Sequence, residues 1–521
     1  MSTTDIRAAP TIPDAIAAAA REHPDTAVIV HSNDNPATTT LGELVDEGRR
    51  VAASLSEMGV RPGDVVAVQL PNWRECFVAH AAVWLCGAVL LPIVPIYGPH
   101  EVAFIVRRSG ARALIIARCL RNRDSAATLA ALDGIPGLSH RVVVGNPLPG
   151  TLGFDELNGG GADGFAGPRA SGPGQRCLLV YTSGTTAEPK GVQHSHAGLL
   201  GELRAMERLR GTDSAPTTLA VFPSGHIAGV LGILRMLTRA GTTVAMDAWD
   251  PNVAARLIAE HHVEASAGAP IHLSGILDAA ERERLDLSSL RDYVTGAAGV
   301  AGALIRRADT RGIGAFRCYG STEHPTISSS TADDPLDKRA DTDGRVCPGT
   351  QVRVVDDDGR DVPTGHDGEI LTRGPELFTG YTDAGDTRAS VVDGWFATGD
   401  VGRLDREGYL TVTDRKKDII VRGGENISSK EVEDVVSSHP AVAEAAALGA
   451  PDRRYGERVC VFVVVKPGQR FDVAEAADHF QRCGLARQKT PERIVVVDEL
   501  PRTASGKVQK HLLRQQLSAD Q

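Results

Sequence analysis

Short apolar runs alternate with helix-period patterns through the first 150 residues, and again from Cys177 to about residue 330. Asp64 to Leu70 (DVVAVQL) and Ala113 to Ala117 read as buried strands. Leu41 to Met58 places Leu41, Leu44, Val45, Val51 and Leu55 near one helical face, and Glu75 to Leu85 predicts a second helix. Parallel strands need long crossovers, usually helices, so this rhythm predicts an α/β architecture with a largely parallel sheet. No solenoid repeat and no heptad seam competes with it.

The rhythm then changes. Residues 345–415 carry QVRVVD, GEILTRG and GYLTVTD, short strands and turns that predict a smaller β-rich subdomain. Beyond Asp414, Ser428 and Glu431 predict a capping box for a helix Glu431 to Ser437. An apolar segment Val442 to Leu448, a β run Arg458 to Val465, a helix near Val473 to Phe480 and a strand Glu492 to Val497 complete a compact α+β unit. The boundary falls at Lys416 and Lys417, giving domains 1–416 and 417–521. Residues 158–174 are glycine-rich and contain a literal GxGxxG at Gly159, Gly161 and Gly164. No strand precedes it and no helix pattern follows, so it reads as a linker and not as a dinucleotide loop.

Composition narrows the function. Lys and Arg total 56 against 66 Asp and Glu, a net charge of −10 that argues against a general nucleic-acid binder. None of the eight cysteines sits in a CxxC spacing, which disfavours a zinc site or a disulfide framework and fits reduced thiols in the cytoplasm. The start, MSTTDIRAAPTIPDA, lacks the pattern of a secretory signal. The most apolar run, Val83 to Ile96, is interrupted by Gly87 and Pro92 and is too short to span a bilayer. The pairs His194/His196 and His261/His262 read as loop or surface histidines, not metal ligands.

The chemistry concentrates in four stretches. In LLVYTSGTTAEPKGVQHSH (Leu178 to His196) a strand runs into Thr182, Ser183, Gly184, Thr185, Thr186 and Ala187, then Lys190. Small residues let backbone N–H groups approach an anion, hydroxyls add donors and lysine adds a point charge, which suits phosphate. The spacing is not that of a Walker loop. Tyr319, Gly320, Ser321, Thr322 and Glu323 (YGSTE) bring a ring, hydroxyls and a carboxylate together. Trp395 to Asp400 (WFATGD) ends in an acid suited to vicinal hydroxyls, and Pro501 to Lys507 (PRTASGK) places a lysine after a glycine turn.

In this order the four stretches resemble the adenylate-forming superfamily of acyl-CoA synthetases, carrier-loading adenylation domains and luciferases, over nearly the whole chain. The resemblance implies a large N-terminal domain with mixed and parallel sheets and a small mobile C-terminal domain hinged at Lys417. It implies that Ser183 to Lys190 hold the β- and γ-phosphates of ATP, with Thr182 also among the cofactor-binding residues. Tyr319 would pack on adenine, and Thr322 would bond the α-phosphate. Glu323, with Thr185, would hold Mg2+. Asp400, with Arg415 nearby, would take the ribose. Lys507 would bridge the substrate carboxylate and the α-phosphate, while His226 would stand beside the acyl pocket. Gly229, Gly296, Ala297, Ala298 and Gly320 would line that pocket, and Gly423 and Gly424 would leave room for the pantetheine arm of coenzyme A.

The implied partners are a carboxylic acid, its acyl-AMP and coenzyme A, with no nucleic acid and no membrane span; a homodimer is one expectation. VFPSGHIAG carries no carboxylate to pair a substrate ammonium, so a plain carboxylic acid is expected. Aromatic residues are 4% and Gly225, Ala228, Gly229, Val230 and Gly232 are small, which predicts a roomy apolar pocket for a fatty, alicyclic or terpenoid acid. RGGENI resembles coenzyme A ligases more than carrier-loading domains. Two departures stand out: Ala187 where the loop usually ends in glycine, and GAAG (Gly296 to Gly299) where a GGA-like turn is common. The first leaves open a member impaired in adenylation that mainly thioesterifies a supplied acyl-AMP. A stand-alone carrier-loading enzyme and a non-catalytic nucleotide binder also compete with the full ligase. The chain has no GxSxG elbow, which disfavours an esterase.

Overall fold

The computed structural model describes residues 9–120, 123–159, 172–182, 189–210, 215–422, 425–452, 454–483, 485–503 and 506–519. The predicted alternation folds into two large sheets. One has nine strands, and its six central ones are parallel, in the order Gly314–Tyr319, Asp292–Thr295, Ala265–Gly268, Thr218–Ala220, Thr243–Met246 and Ala27–His31. The other has eight, and its six parallel strands run Arg176–Tyr181, Val89–Pro92, Val65–Gln69, Ala113–Ala117, His140–Val144 and Leu152–Gly153. Val65–Gln69 is buried on both faces, which is why it reads as an unbroken apolar run and not as an alternation.

Helices Ile12–Glu22, Leu41–Glu57, Arg74–Leu85 and Ile227–Thr238 fill the space between the sheets, and their buried residues share one core with inward-facing residues of both. Leu41–Glu57 starts where it does because Thr40 and Glu43 form a reciprocal capping box. Helices Pro251–Glu260, Pro270–Glu283 and Gly302–Asp309 cover the outer face of the nine-stranded sheet, and Pro99–Ser109 with Ala126–Ala131 cover that of the eight-stranded one.

The β-rich segment forms a five-stranded antiparallel sheet, packed on the nine-stranded sheet through Ile327, Ile370 and Leu410. After it, the hairpin Val442–Asp452 and Gly456–Val465 joins strands Ile420–Arg422, Glu425–Ile427 and Arg493–Val496 in a sheet with its own apolar clusters. Helix Ser429–Ser437 begins two residues before the position expected from sequence. Only half of its capping box forms: Ser428 Oγ accepts from the Glu431 N–H at 3.1 Å, while the Glu431 carboxylate is bound by Lys489 at 2.6 Å. Of the GxGxxG stretch, Gly161 and Gly164 lie outside the described residues. Among the described residues no helix is long and apolar enough to cross a membrane.

Candidate active site

In open parallel sheets the ligand crevice lies at the carboxyl ends of the strands. Ala220, Gly268, Thr295 and Tyr319 end four of the parallel strands in the nine-stranded sheet. The segments that follow bring His226, Gly296 to Ala298 and Gly320 to Glu323 to one edge, although 97 residues (323 − 226) separate the first from the last.

Asp400 is fixed between two of the expected partners. Tyr319 donates its hydroxyl to Asp400 Oδ2 at 2.6 Å, and Arg415 Nε meets Asp400 Oδ1 at 2.9 Å. The register explains the second contact, since Asp400 and Arg415 face each other across the antiparallel pair Trp395–Leu404 and Leu410–Arg415. Burial, followed by the Asp400 charge, pushes the Tyr319 phenol well above its ordinary value, so it acts as a donor at all physiological pH.

A second wall holds Lys190, Tyr381 and Glu323. Tyr381 donates to Glu323 Oε1 at 2.7 Å, while the Lys190 ammonium lies 5.0 Å from the Tyr381 ring centroid and 2.8 Å from Asp386. His194 Nε2 lies 2.7 Å from the Thr322 carbonyl oxygen, which fixes the backbone of the YGSTE loop from behind. Burial holds His194 neutral, with its pKa down at about 4, so Nε2 is the N–H that donates. The expectation of loop or surface histidines is corrected here: His194 lies inside strand Gly191–Ser195, His196 opens the next helix, and both are buried. The sequence does not single out Tyr381 or Asp386. The available signal is weak, an aromatic after glycine in TGYTD.

Lys507 arrives from the far end of the chain. Gly506 takes φ +84, and the turn is closed by Gly506 N–H to the Thr503 carbonyl at 2.9 Å and Thr503 N–H to the Lys507 carbonyl at 2.8 Å. Desolvation lowers the Lys507 ammonium to about 8; Arg415 and Lys417 push the same way, while Asp400 and Glu323 oppose them. The groups felt by this lysine therefore come from both walls of the crevice. His226, at the N-cap of helix Ile227–Thr238, is pushed down to about 4 by burial and then by Lys507, so it is neutral here.

Other expected positions behave differently. Ser183, Gly184, Thr185, Thr186 and Ala187 lie outside the described residues, as do Gly423 and Gly424. Ser321 Oγ accepts from the His324 N–H at 3.1 Å, which makes it a turn former. Gly320 and Gly229 are required by close backbone contacts, since a Cβ would stand 1.9 Å from the Pro325 carbonyl oxygen and 2.0 Å from that of Pro223. Ala297 has φ +65, the left-handed region where glycine is at ease, which gives the GAAG departure a physical meaning. Lys417 occupies an exposed turn, and its carbonyl accepts from Arg514 at 3.3 Å.

Residues 16–382 match the AMP-binding enzyme family, and residues 431–507 match the AMP-binding enzyme C-terminal domain. The chain is an AMP-binding enzyme of the adenylate-forming superfamily. This AMP-binding enzyme is 33% identical to the medium-chain fatty-acid–CoA ligase of Escherichia coli K12, over 96% of the chain and 89% of that protein. It is 35% identical to the 3-[(3aS,4S,7aS)-7a-methyl-1,5-dioxo-octahydro-1H-inden-4-yl]propanoyl:CoA ligase of Mycobacterium tuberculosis, over 97% and 98%. Among solved structures it superposes on the anthranilate CoA ligase AuaEII in complex with anthranoyl-AMP with a TM-score of 0.89 and 26% identity, covering 100% and 99% of the two chains. ATP-bound MatB from Rhodopseudomonas palustris gives a TM-score of 0.87 at 25% identity, covering 97% and 98%.

The residues present fit a magnesium nucleotide better than a protein-held metal. Among the described residues no group of three or more His, Cys, Asp or Glu could hold an ion. Glu323 offers the AMP-binding enzyme one carboxylate whose Oε1 is already engaged by Tyr381. One carboxylate beside phosphate oxygens and water is the ligand set Mg2+ commonly takes.

Proposed function

We propose that this AMP-binding enzyme is an acyl-CoA ligase that converts a carboxylic acid to its coenzyme A thioester through an acyl-adenylate. The observation that carries the proposal is the placement of Lys507 within electrostatic reach of Asp400, Glu323, Arg415 and His226. A carboxylate attacking the α-phosphorus of ATP brings two anions together. Lys507 Nζ, donating to both, offsets their repulsion and the charge that builds on phosphorus. The bond to pyrophosphate breaks as the acyl–phosphate bond forms. Mg2+, held in part by Glu323, would supply further charge neutralisation.

Asp400 takes the ribose hydroxyls, with its carboxylate aimed by Tyr319 and Arg415, and Tyr319 flanks adenine. Thr322 bonds the α-phosphate from a loop braced by His194. Lys190 faces the outgoing phosphates. In the second step the coenzyme A thiolate attacks the acyl carbon, the bond to AMP breaks, and AMP leaves. Lys417 is the hinge at the 416/417 boundary, where Arg514 also pairs with Asp418 at 2.6 Å. The substrate is a hydrophobic acid with the carboxylate next to His226. Relatives that act on a medium-chain fatty acid, a bicyclic propanoate and indoleacetate support that class. The cysteines form no disulfide among the described residues, which supports a cytoplasmic setting.

Ala187 supports one narrower reading, in which adenylation is slow and thioesterification of a supplied acyl-AMP is intact. Two assays separate these: acid-dependent ATP–pyrophosphate exchange, and acyl-CoA formation from synthetic acyl-AMP. Exchange with some acid in the panel supports the full ligase. Thioester from acyl-AMP without exchange supports the narrower reading, and neither activity refutes both.

A further inference from the structure

Helix Ser429–Ser437 packs on the hairpin sheet through Val432 and Val436, yet the acid at its N-terminus comes from a different sheet. Asp414 lies in strand Leu410–Arg415 of the five-stranded sheet, one position before the Arg415 that pairs with Asp400. Its Oδ2 accepts from the Ser429 N–H at 2.6 Å, and its Oδ1 accepts from the Ser429 hydroxyl at 3.0 Å. Beside it, Ser428 donates its hydroxyl to the Thr413 carbonyl at 3.0 Å. Asp414 is 6% exposed and Ser429 1%, so the contact is closed to water. A carboxylate at the first N–H of a helix meets the positive end of the dipole, and such charge-assisted bonds are strong.

The same serine reaches the segment that carries Lys507. Ser429 Oγ accepts from the Lys510 ammonium at 2.9 Å, and Lys510 also pairs with Glu433 at 2.7 Å. Glu433 is itself fixed, since its Oε1 accepts from the Ala447 N–H at 2.8 Å. Lys510 opens helix Lys510–Ala519, three residues after Lys507 (510 − 507). The stretch between the two lysines is held as well: Val508 bridges to Arg502, and the Gln509 N–H donates to the Pro501 carbonyl at 2.7 Å. Asp414, Ser429, Lys510 and the Lys507 turn thus form one connected chain.

This chain crosses the 416/417 boundary. Thr413 and Asp414 stand before it, and Ser428 and Ser429 after it. The next helical residue, Lys430, touches the far side too, because a Cβ on Gly299 of the GAAG loop would stand 4.0 Å from Lys430 Cε. Rotation of the backbone at Lys417 separates these partners. Asp414 then keeps only its bond from the Arg415 N–H, at 2.6 Å, and the Ser429 N–H must turn to water. The contact therefore belongs to the arrangement that holds Lys507 in the crevice.

We propose that Asp414 is a positioning residue for adenylation: it caps helix Ser429–Ser437 from across the hinge, holds Lys507 at the reacting groups, and lets go when thioester formation begins. The proposal rests on the ligase reading, with its hinge at Lys417, and deepens it. Wild type, Asp414→Asn, Asp414→Glu and Lys510→Met are compared as full chains. ATP–pyrophosphate exchange uses the best acid from a panel of fatty and aromatic acids, and the synthetic adenylate of that acid isolates the second half-reaction. Asp414→Asn is expected to lower exchange kcat by about 10- to 100-fold, with KM for ATP little changed. Thioester formation from the adenylate should run at the wild-type rate or faster. Lys510→Met should show the same split to a smaller degree, and Asp414→Glu should keep part of the exchange. A merely structural disturbance of Arg415 would instead raise KM for ATP or slow both half-reactions. Amide hydrogen exchange at Ser429, read by mass spectrometry, needs no acid; it should be slow in the wild type and about tenfold or more faster in Asp414→Asn. Equal loss of both half-reactions, undiminished exchange kcat in Asp414→Asn, or an unprotected Ser429 amide in the wild type overturns the proposal. If no acid supports exchange or thioester formation, the ligase reading fails separately, and the Ser429 amide still decides whether Asp414 holds the helix.

Discussion

Raising the pH above 8 is expected to switch off the first half-reaction and spare the second. Lys507 is the group responsible, with an ammonium pushed down to about 8 chiefly by desolvation. At pH 9 roughly one-tenth of such lysines carry a proton, against about 97% for an unperturbed lysine. Only the protonated form neutralises the approaching carboxylate and phosphate. Adenylation kcat/KM, which reports the free enzyme, therefore falls about tenfold per pH unit above 8. Bound ATP and acid add negative charge and raise the lysine pKa, so kcat declines at a higher pH than kcat/KM does. Attack by coenzyme A on a supplied acyl-AMP does not need Lys507 and gains thiolate over the same range, a thiol titrating near about 8.5. The two profiles should cross. ATP–pyrophosphate exchange and single-turnover thioester formation, each followed from pH 6.5 to 10, measure them. Lys507→Arg keeps its charge throughout and should give a slower but flat exchange profile. A wild-type adenylation kcat/KM that is level to pH 9.5, or two half-reactions that fall together, would refute the reasoning.

Three further outcomes follow from specific contacts. Ala297→Gly relieves a left-handed alanine and should stabilise the large domain by about 1 kcal/mol, read as a shift in urea midpoint; no shift would show that the turn is unstrained. Glu376 is fully buried, neither of its carboxylate oxygens has a hydrogen-bond partner, and desolvation followed by the Glu202 charge raises it to about 8. Its folded pKa exceeds its unfolded one, so its contribution is complete below about pH 4.5 and is lost as pH rises through 8, at about 1.4 kcal/mol per unit. Glu376→Gln should thus gain in Tm over the wild type between pH 5 and pH 8, and a gap that does not change with pH would contradict the assignment. Asp400→Asn breaks the ion pair with Arg415 and should raise KM for ATP by about tenfold or more without a matching change in the KM for coenzyme A.

The framework of the molecule was legible because its rules are local. Val65–Gln69, Leu41–Glu57 and Ala113–Ala117 announce themselves by apolar pattern, and the structure places them within one or two residues of expectation. Tyr319, Asp400 and Lys507 were legible as motif residues, but their meeting depends on strand order and on the seating of the C-terminal unit, which no local pattern encodes. The contact of Tyr381 with Glu323 was hidden for the same reason: 58 positions separate them. The small residues from Gly225 to Gly232 serve different ends. Gly225 and Gly229 are small because backbone passes close by, and only Gly232 opens space.

The most direct test of the central claim is the product stoichiometry of a single reaction containing enzyme, Mg2+, ATP, a suitable acid and coenzyme A. Chromatography of the quenched mixture should show AMP, pyrophosphate and acyl-CoA in equal amounts, with acyl-AMP accumulating when coenzyme A is withheld. Formation of ADP and phosphate, or acyl-CoA without AMP, would contradict the account.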